Sequence, residues 1–211
     1  KNRLSTNIFG GALDFGLEEQ PVGKPPAKPW FSQGPNTVLA EAQSPFTHIH
    51  PQGKAGVRLE GKSSGDGIRY VLPNALKLSE ANTLYFAIDF RAPKEANPKP
   101  GAHRFYLGRG VVQSTAADFS LSADAFAMKR DGQWQVLRTL VPGEWYSLQV
   151  HFEGAKKRIT GFVGKPGDVT PLPETALPAS WDKVLDTFIC DGNGHTPGIP
   201  ATHDLDNVGL R

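Results

Sequence analysis

Apolar and polar side chains alternate with a period of two in segment after segment of this chain, which restricts those segments to β-strands with one buried face. In Thr83–Arg91, Leu84, Phe86, Ile88 and Phe90 share one side, and Tyr85, Ala87, Asp89 and Arg91 take the other. His103–Gly108 sets Phe105 and Leu107 against Arg104 and Tyr106. Trp145–Phe152 sets Tyr146, Leu148, Val150 and Phe152 against Trp145, Ser147, Gln149 and His151. Weaker strands are read over 38–42, 56–60, 68–72, 118–121, 125–130, 134–140, 159–163 and 187–190. Turn signals lie between them, among them Ser64-Gly65-Asp66-Gly67, Pro142-Gly143, Glu153-Gly154 and Pro166-Gly167. Asp131-Gly132 predicts a tight hairpin, because glycine accepts the positive φ that favoured hairpin turns need. Only Trp181–Leu185 reads as a short helical turn, with Ser180 as its cap. Short strands at this spacing predict an all-β fold, an antiparallel two-sheet sandwich or jelly roll. Strands continue on both sides of the Pro-rich stretches 21–29 and 93–100, so residues 1–211 are read as one domain.

Composition narrows the function classes. With 38% hydrophobic and 21% charged residues, 211 residues suffice for one large soluble core. The 23 glycines and 18 prolines favour turns over long helices. A net charge of +2 with balanced signs gives a nucleic-acid partner no electrostatic support. No apolar run is long enough to span a bilayer as a helix. Cys190 is the only cysteine, which excludes an internal disulfide and a thiolate metal cluster, and its strand-like surroundings predict a small buried hydrophobe. No Gly-x-Ser-x-Gly nucleophile turn and no phosphate-binding Gly-x-x-x-x-Gly-Lys-Ser/Thr loop occurs.

The tail, Thr202-His203-Asp204-Leu205-Asp206-Asn207-Val208-Gly209-Leu210, reads as a closing strand with acids beside its apolar positions. If first and last strands are neighbours, Asp14 or Glu18 meets Asp206, with Asp204 as an alternate, in an oxygen-rich setting suited to a hard cation. The plainer reading is a set of solvated edge carboxylates.

Three segments carry a family resemblance. Leu13-Asp14-Phe15-Gly16-Leu17-Glu18, followed by Pro21-Val22-Gly23 and Trp30, resembles the opening strand and loop of concanavalin A-like lectin and glucanase domains. Gly143-Glu144-Trp145-Tyr146-Ser147-Leu148-Gln149-Val150 resembles the Gly-x-Trp-Tyr strand of their laminin-G-like branch, and Leu205–Leu210 resembles their last strand. The resemblance implies a concanavalin A-like jelly roll, a carbohydrate partner, a secreted or periplasmic setting, membership of a larger multidomain chain, and a structural calcium held by Asp14, Glu18, Asp204 and Asp206. It does not choose among glycan-binding modules, glycoside hydrolases and polysaccharide lyases, so function has to come from a site.

The candidate ligand site is the polar side of the three strongest strands: Tyr85, Asp89, Arg91, Arg104, Tyr106, Gln149 and His151, with Arg69 and Arg109 as additions. Aromatic rings stack on sugar C–H faces and arginine forks to carboxylate or sulfate oxygens, so such a surface favours an acidic glycan. Gln149-Val150-His151 is also similar to the Gln-x-His strand of alginate-lyase jelly rolls. There the glutamine neutralises a uronate carboxylate and a histidine or tyrosine removes the C5 proton, which implies His151 as base with Gln149 and Tyr106 or Tyr146 assisting. The companion Arg-rich and Tyr-x-Lys-x-Gly motifs of that branch are missing, as is the glucanase Glu-x-Asp-x-x-Glu. The expectation is therefore a non-catalytic carbohydrate-binding module, with a uronate lyase as runner-up and a structural or adhesive domain as third class.

Overall fold

A computed structural model describes residues 17–48 and 50–211, together with the backbone of 13–15. In chain order the strands are β1 (Leu13–Phe15), β2 (Phe31–Gln33), β3 (Asn36–Leu39), β4 (Gly56–Leu59), β5 (Gly67–Lys77) and β6 (Thr83–Arg91). They continue with β7 (His103–Arg109), β8 (Ser114–Leu121), β9 (Ala125–Arg130), β10 (Gln133–Thr139) and β11 (Tyr146–Glu153). The last five are β12 (Arg158–Lys165), β13 (Asp168–Pro171), β14 (Thr175–Ala176), β15 (Val184–Asp191) and β16 (His203–Leu210). Among the described residues the only helix is one 3₁₀ turn, Ala40–Ala42.

The strands form two antiparallel sheets. A nine-stranded sheet runs β13-β12-β11-β6-β16-β4-β3, with β1 on β16 and β14 on β12. A seven-stranded sheet runs β10-β9-β8-β7-β15-β5-β2. The first described strand does pair with the last, placing Asp14 opposite Gly209.

Alternation makes the core. On β6 and β11 the register sets Tyr146 opposite Phe90, Leu148 opposite Ile88, Val150 opposite Phe86 and Phe152 opposite Leu84, so both apolar sides face one way. They meet Phe105 and Leu107 of β7, Phe119 of β8, Phe126 and Met128 of β9, and Phe188 and Cys190 of β15, all buried. Rings lock the layers together: Phe90 lies 5.8 Å from Phe105 and 5.6 Å from Phe126, and Phe86 lies 5.4 Å from Phe188. Burial pushes the Cys190 thiol well up, so it is an inert core residue.

Two local expectations resolve differently. Asp131 and Gly132 both have positive φ (50° and 77°) and join β9 to β10 as a tight hairpin. Trp181–Leu185 forms no helix: the Trp181 ring is buried against Phe152 at 5.4 Å, its indole N–H donates to the Val184 carbonyl at 2.8 Å, and β15 starts at Val184. Packing of one large ring overrides the capping signal. In β16 the register shifts between Asp206 and Gly209, and Asn207 takes φ 50°. This bulge turns Asp206 and Asn207 to the same outer side and returns Val208 and Leu210 to the core.

Candidate functional site

The strands that carry the expected ligand residues belong to different sheets. β6 and β11 are neighbours in the nine-stranded sheet, while β7 lies in the seven-stranded one. Because all three aim their apolar sides into one core, their polar sides point away from each other. Tyr85, Asp89, Arg91, Gln149 and His151 therefore share one outer face, and Arg104 and Tyr106 stand on the opposite outer face. Periodicity reports inside or outside; it carries no information on which sheet a strand joins.

The face of the nine-stranded sheet is largely self-satisfied. Asp204, fully buried, accepts from Arg58 Nε (2.8 Å) and Nη2 (3.1 Å) and from Arg91 Nε (3.0 Å) and Nη2 (2.5 Å). Arg91 also lies 5.0 Å over the Trp145 ring. Asp206 stands opposite Asp89. The Asp206 carboxyl accepts from the Ser44 amide (2.7 Å) and the Asn207 amide (2.8 Å). Asp89 accepts from the Ser44 hydroxyl (2.8 Å) and the Asn207 carboxamide (2.7 Å). Burial pushes the Asp206 carboxyl up to about 8 and raises that of Asp89, against the hydrogen bonds that each receives.

The described members of the expected calcium set have hydrogen-bond partners within the protein, and Glu18 lies close enough to Asp206 to raise its carboxyl. Asp204 is committed to two guanidiniums, Asp206 to two amides, and Glu18 to the Lys54 amide; the Asp14 side chain lies outside the described residues. Every described carboxylate of the set thus accepts at least one N–H bond. Among the described residues no group of three or more His, Cys, Asp or Glu side chains is arranged to hold a metal ion.

The lyase trio is also divided. His151 and Gln149 lie on the nine-stranded sheet, where His151 packs edge-on against Tyr85 at 4.9 Å and burial lowers its pKa. Tyr106 is on the far side of the molecule, its hydroxyl enclosed between the carbonyls of Arg109 (3.0 Å) and Ser114 (3.2 Å), and burial raises its pKa. Tyr146 has its ring in the core, 5.9 Å from Phe90. Neither Tyr106 nor Tyr146 is thereby offered to a substrate beside His151, where the neighbouring tyrosine is Tyr85.

The outer face of the seven-stranded sheet is different in kind. Registers align Phe31, Arg69, Ile189, Tyr106 and Asp118 in one cross-strand row, from β2 through β5, β15 and β7 to β8. Lys129 and Trp134, paired across β9 and β10, extend the same side to the sheet edge. A parallel row holds Gln33, Gly67, Asp191, Arg104, Ser120 and Ala127. Cations lie over rings along it: Arg69 at 4.6 Å from Phe31, Arg104 at 5.6 Å from Tyr106, Lys129 at 5.4 Å from Trp134. Gly67 has to be glycine: its φ is 154°, and a Cβ there would sit 1.9 Å from the Cys190 carbonyl oxygen.

Charge on this face is mostly paired. Arg104 forks to Asp191 through Nε (3.1 Å) and Nη2 (2.6 Å). The loop after β15 is tied down by Asn193, which bonds Asp191 and the Ser64 carbonyl, and by His195, whose Nδ1 lies 2.8 Å from the Ser120 hydroxyl. Asp118, 9% exposed, has its carboxyl raised by burial against the pull of Arg104 and Lys129, and its Oδ1 has no hydrogen-bond partner. At the β2 end a groove of about 210 Å³ opens between Phe31, Gln33, Gly67, Arg69, Val111 and Asp191. Of this face, sequence reading found Arg104, Tyr106 and, as an addition, Arg69. It missed Phe31, Gln33, Asp118, Ile189 and Asp191, whose only signal is the order of strands in the sheet.

No protein-family model and no curated protein sequence matches the chain. Solved structures do match in fold. The globular domain of T. cruzi calreticulin superposes with a TM-score of 0.58 at 7% identity, over 95% of this chain and 87% of that one. Basic winged bean lectin with Tn-antigen gives 0.54 at 7% identity over 94% and 97%. A sialidase gives 0.57 at 13% identity over 86% of this chain, which spans only 17% of the sialidase. These likenesses establish a concanavalin A-like jelly roll, a fold shared with lectin and glycoside hydrolase domains.

Proposed function

We propose that this domain is a non-catalytic carbohydrate-binding module that receives a glycan across the outer face of its seven-stranded sheet, within a larger extracytoplasmic glycan-handling protein. The observation that carries this reading is the cross-strand row from Phe31 to Trp134. Rings at both ends supply apolar platforms for sugar C–H faces, and Arg104, Asp118 and Gln33 between them supply donors and acceptors for hydroxyls. The platform is fixed before any ligand arrives, since its floor is strand backbone and its central ion pair is already made, so little ordering cost accompanies binding. Structures that share the fold include a lectin bound to Tn-antigen, which supports a saccharide as the ligand class.

Catalysis by a uronate lyase has less support, because His151 and Tyr106 occupy opposite faces. The test is a glycan array followed by calorimetry on the positive ligands, with a reducing-end and unsaturated-product assay alongside. Retention without product, lost in Phe31→Ala and Trp134→Ala, is the expected outcome. Retention of no glycan at all would leave a structural or adhesive domain as the better account, and product formation would make it an enzyme.

A further inference from the structure

Arg69 differs from the ion-paired arginines of the outer faces. Arg58, Arg91, Arg104, Arg109, Arg138 and Arg158 each face a carboxylate within ion-pair distance. Arg69 faces none among the described residues, and its Nε is buried without a hydrogen-bond partner. Its one close partner there is the Phe31 ring beneath it.

The nearest acid in the groove is not available to it. Asp191 already accepts four hydrogen bonds, two from Arg104 and two from Asn193. A carboxylate offers about four lone-pair positions. Asp191 is therefore saturated, and the positive charge of Arg69 is left uncompensated at the mouth of a 210 Å³ groove. Arg104, one of the residues expected to meet an anion, already has its charge balanced by Asp191.

The walls beside that charge are apolar. Phe31 is 51% exposed and Val111 is 55% exposed, and both line the groove together with Ile68 and Ile189. A bare inorganic anion would satisfy the guanidinium and leave these walls wet. A charged peptide side chain would satisfy both only by ordering a flexible stem. A sugar ring with an acid group attached to it satisfies both at once: the C–H face lies on Phe31, and the planar acid reaches the planar guanidinium through paired N–H···O bonds.

We infer that this groove is a subsite for a uronate residue, with Arg69 holding the sugar carboxylate, Phe31 and Val111 carrying the ring, and the Gln33 carboxamide bonding a ring hydroxyl. The inference rests on the reading of this face as glycan-binding and adds its selectivity. It moves acid recognition from the centre of the sheet to its β2 edge. The rest of the row, toward Trp134, then takes the sugars that follow.

The experiment compares matched oligosaccharides that are neutral, uronate-bearing, methyl-esterified at the uronate, or sulfated, titrated into the whole chain and into Arg69→Gln, Arg69→Lys and Phe31→Ala. The expected result is uronate binding at least about tenfold tighter than the neutral match at low salt. Methyl esterification abolishes that preference, Arg69→Gln reduces the uronate-to-neutral ratio to about one, and Arg69→Lys restores part of it. Phe31→Ala weakens uronate and neutral ligands alike. Near-ultraviolet circular dichroism confirms that each variant is folded, as surface positions on strands should be. Equal binding of uronate and neutral ligands would overturn the inference and leave the glycan-binding face intact. Tighter binding of the sulfated ligand, lost in Arg69→Gln, would replace the uronate with a sulfated sugar. Binding of none of the four would overturn the reading of the face and the subsite with it.

Discussion

Asp206 stands directly opposite Asp89 across β16 and β6, and Ser44, from outside the sheet, reaches both: its amide donates to Asp206 and its hydroxyl to Asp89. Two carboxyls buried this close cannot both ionise cheaply, so the pair retains protons that each group would release in water. Ser44 lies in the segment that follows the 3₁₀ turn, and this contact holds that segment down on the sheet.

The first prediction concerns alkaline pH. The Asp206 carboxyl, near 3.8 when free, is pushed up to about 8 in the fold. Between those values the native state binds a proton that the unfolded chain has released. The contribution is fully present below about pH 4 and is lost as pH rises through 8. Melting temperature measured from pH 6 to 9 should fall, and Asp206→Asn should flatten that slope. The variant also loses one acceptor for a backbone amide, so its stability at pH 6 should drop by about 1–3 kcal/mol. An unchanged slope in Asp206→Asn would refute the assignment.

The acid limit should come from histidines. His103 and His203 are buried at the ends of their strands with Nδ1 atoms 2.6 Å apart, and their Nε2 atoms have no partner. Burial lowers both, His203 to about 4 and His103 well below the usual 6.5. Below about pH 6.5 the unfolded chain takes up protons that the fold refuses, so stability declines from there toward pH 4. His203→Gln should lessen the loss measured by urea titration at pH 7 and pH 5. If wild type and variant lose the same amount, the pair is not responsible.

Asp204 supports the largest single stability effect. It is fully buried between Arg58 and Arg91, whose guanidiniums are themselves mostly shielded. Asp204→Asn keeps the shape and leaves two clustered cations without a counter-charge, which should cost about 3–5 kcal/mol in chemical denaturation. Replacing Asp204 together with both arginines by apolar residues should cost far less than the sum of the single changes, since no orphaned charge remains. A near-neutral Asp204→Asn would mean that water reaches the pair.

The sandwich was legible because its signal is local: a run such as Leu84-Tyr85-Phe86-Ala87-Ile88 declares its buried side within five residues. The pairing of first and last strands was legible because acids stand beside the apolar positions of β16. The candidate site was only half legible, for a geometric reason. Tyr85 and Tyr106 each sit on the polar side of a strong strand, and nothing in either strand says that β6 joins β16 while β7 joins β15. Phe31 lies in a strand of three residues, too short to show a period, and acquires meaning only when Arg69, Ile189 and Tyr106 line up beside it. The β16 bulge escaped because Asn207 gains φ 50° from its bonds to neighbouring strands and loops, not from a glycine that would have marked it.

The separation of the two faces gives the last prediction. If ligand lies across the seven-stranded sheet, Trp134→Ala should weaken glycan binding by about 1–2 kcal/mol, roughly five- to thirty-fold, because a half-buried ring at the end of the row, outside the core cluster, contributes contact area and little to the core. Tyr85→Ala and His151→Ala, on the opposite face, should leave affinity within about twofold, although Tyr85 also supports the Arg211 guanidinium at 4.6 Å and its loss should lower the melting temperature slightly. The two sets therefore dissociate: affinity changes without stability in the first, stability without affinity in the second. Affinity lost in His151→Ala and kept in Trp134→Ala would put the sugar on the nine-stranded sheet, beside Gln149, and would return that strand's Gln-x-His pair to consideration as the centre of the site.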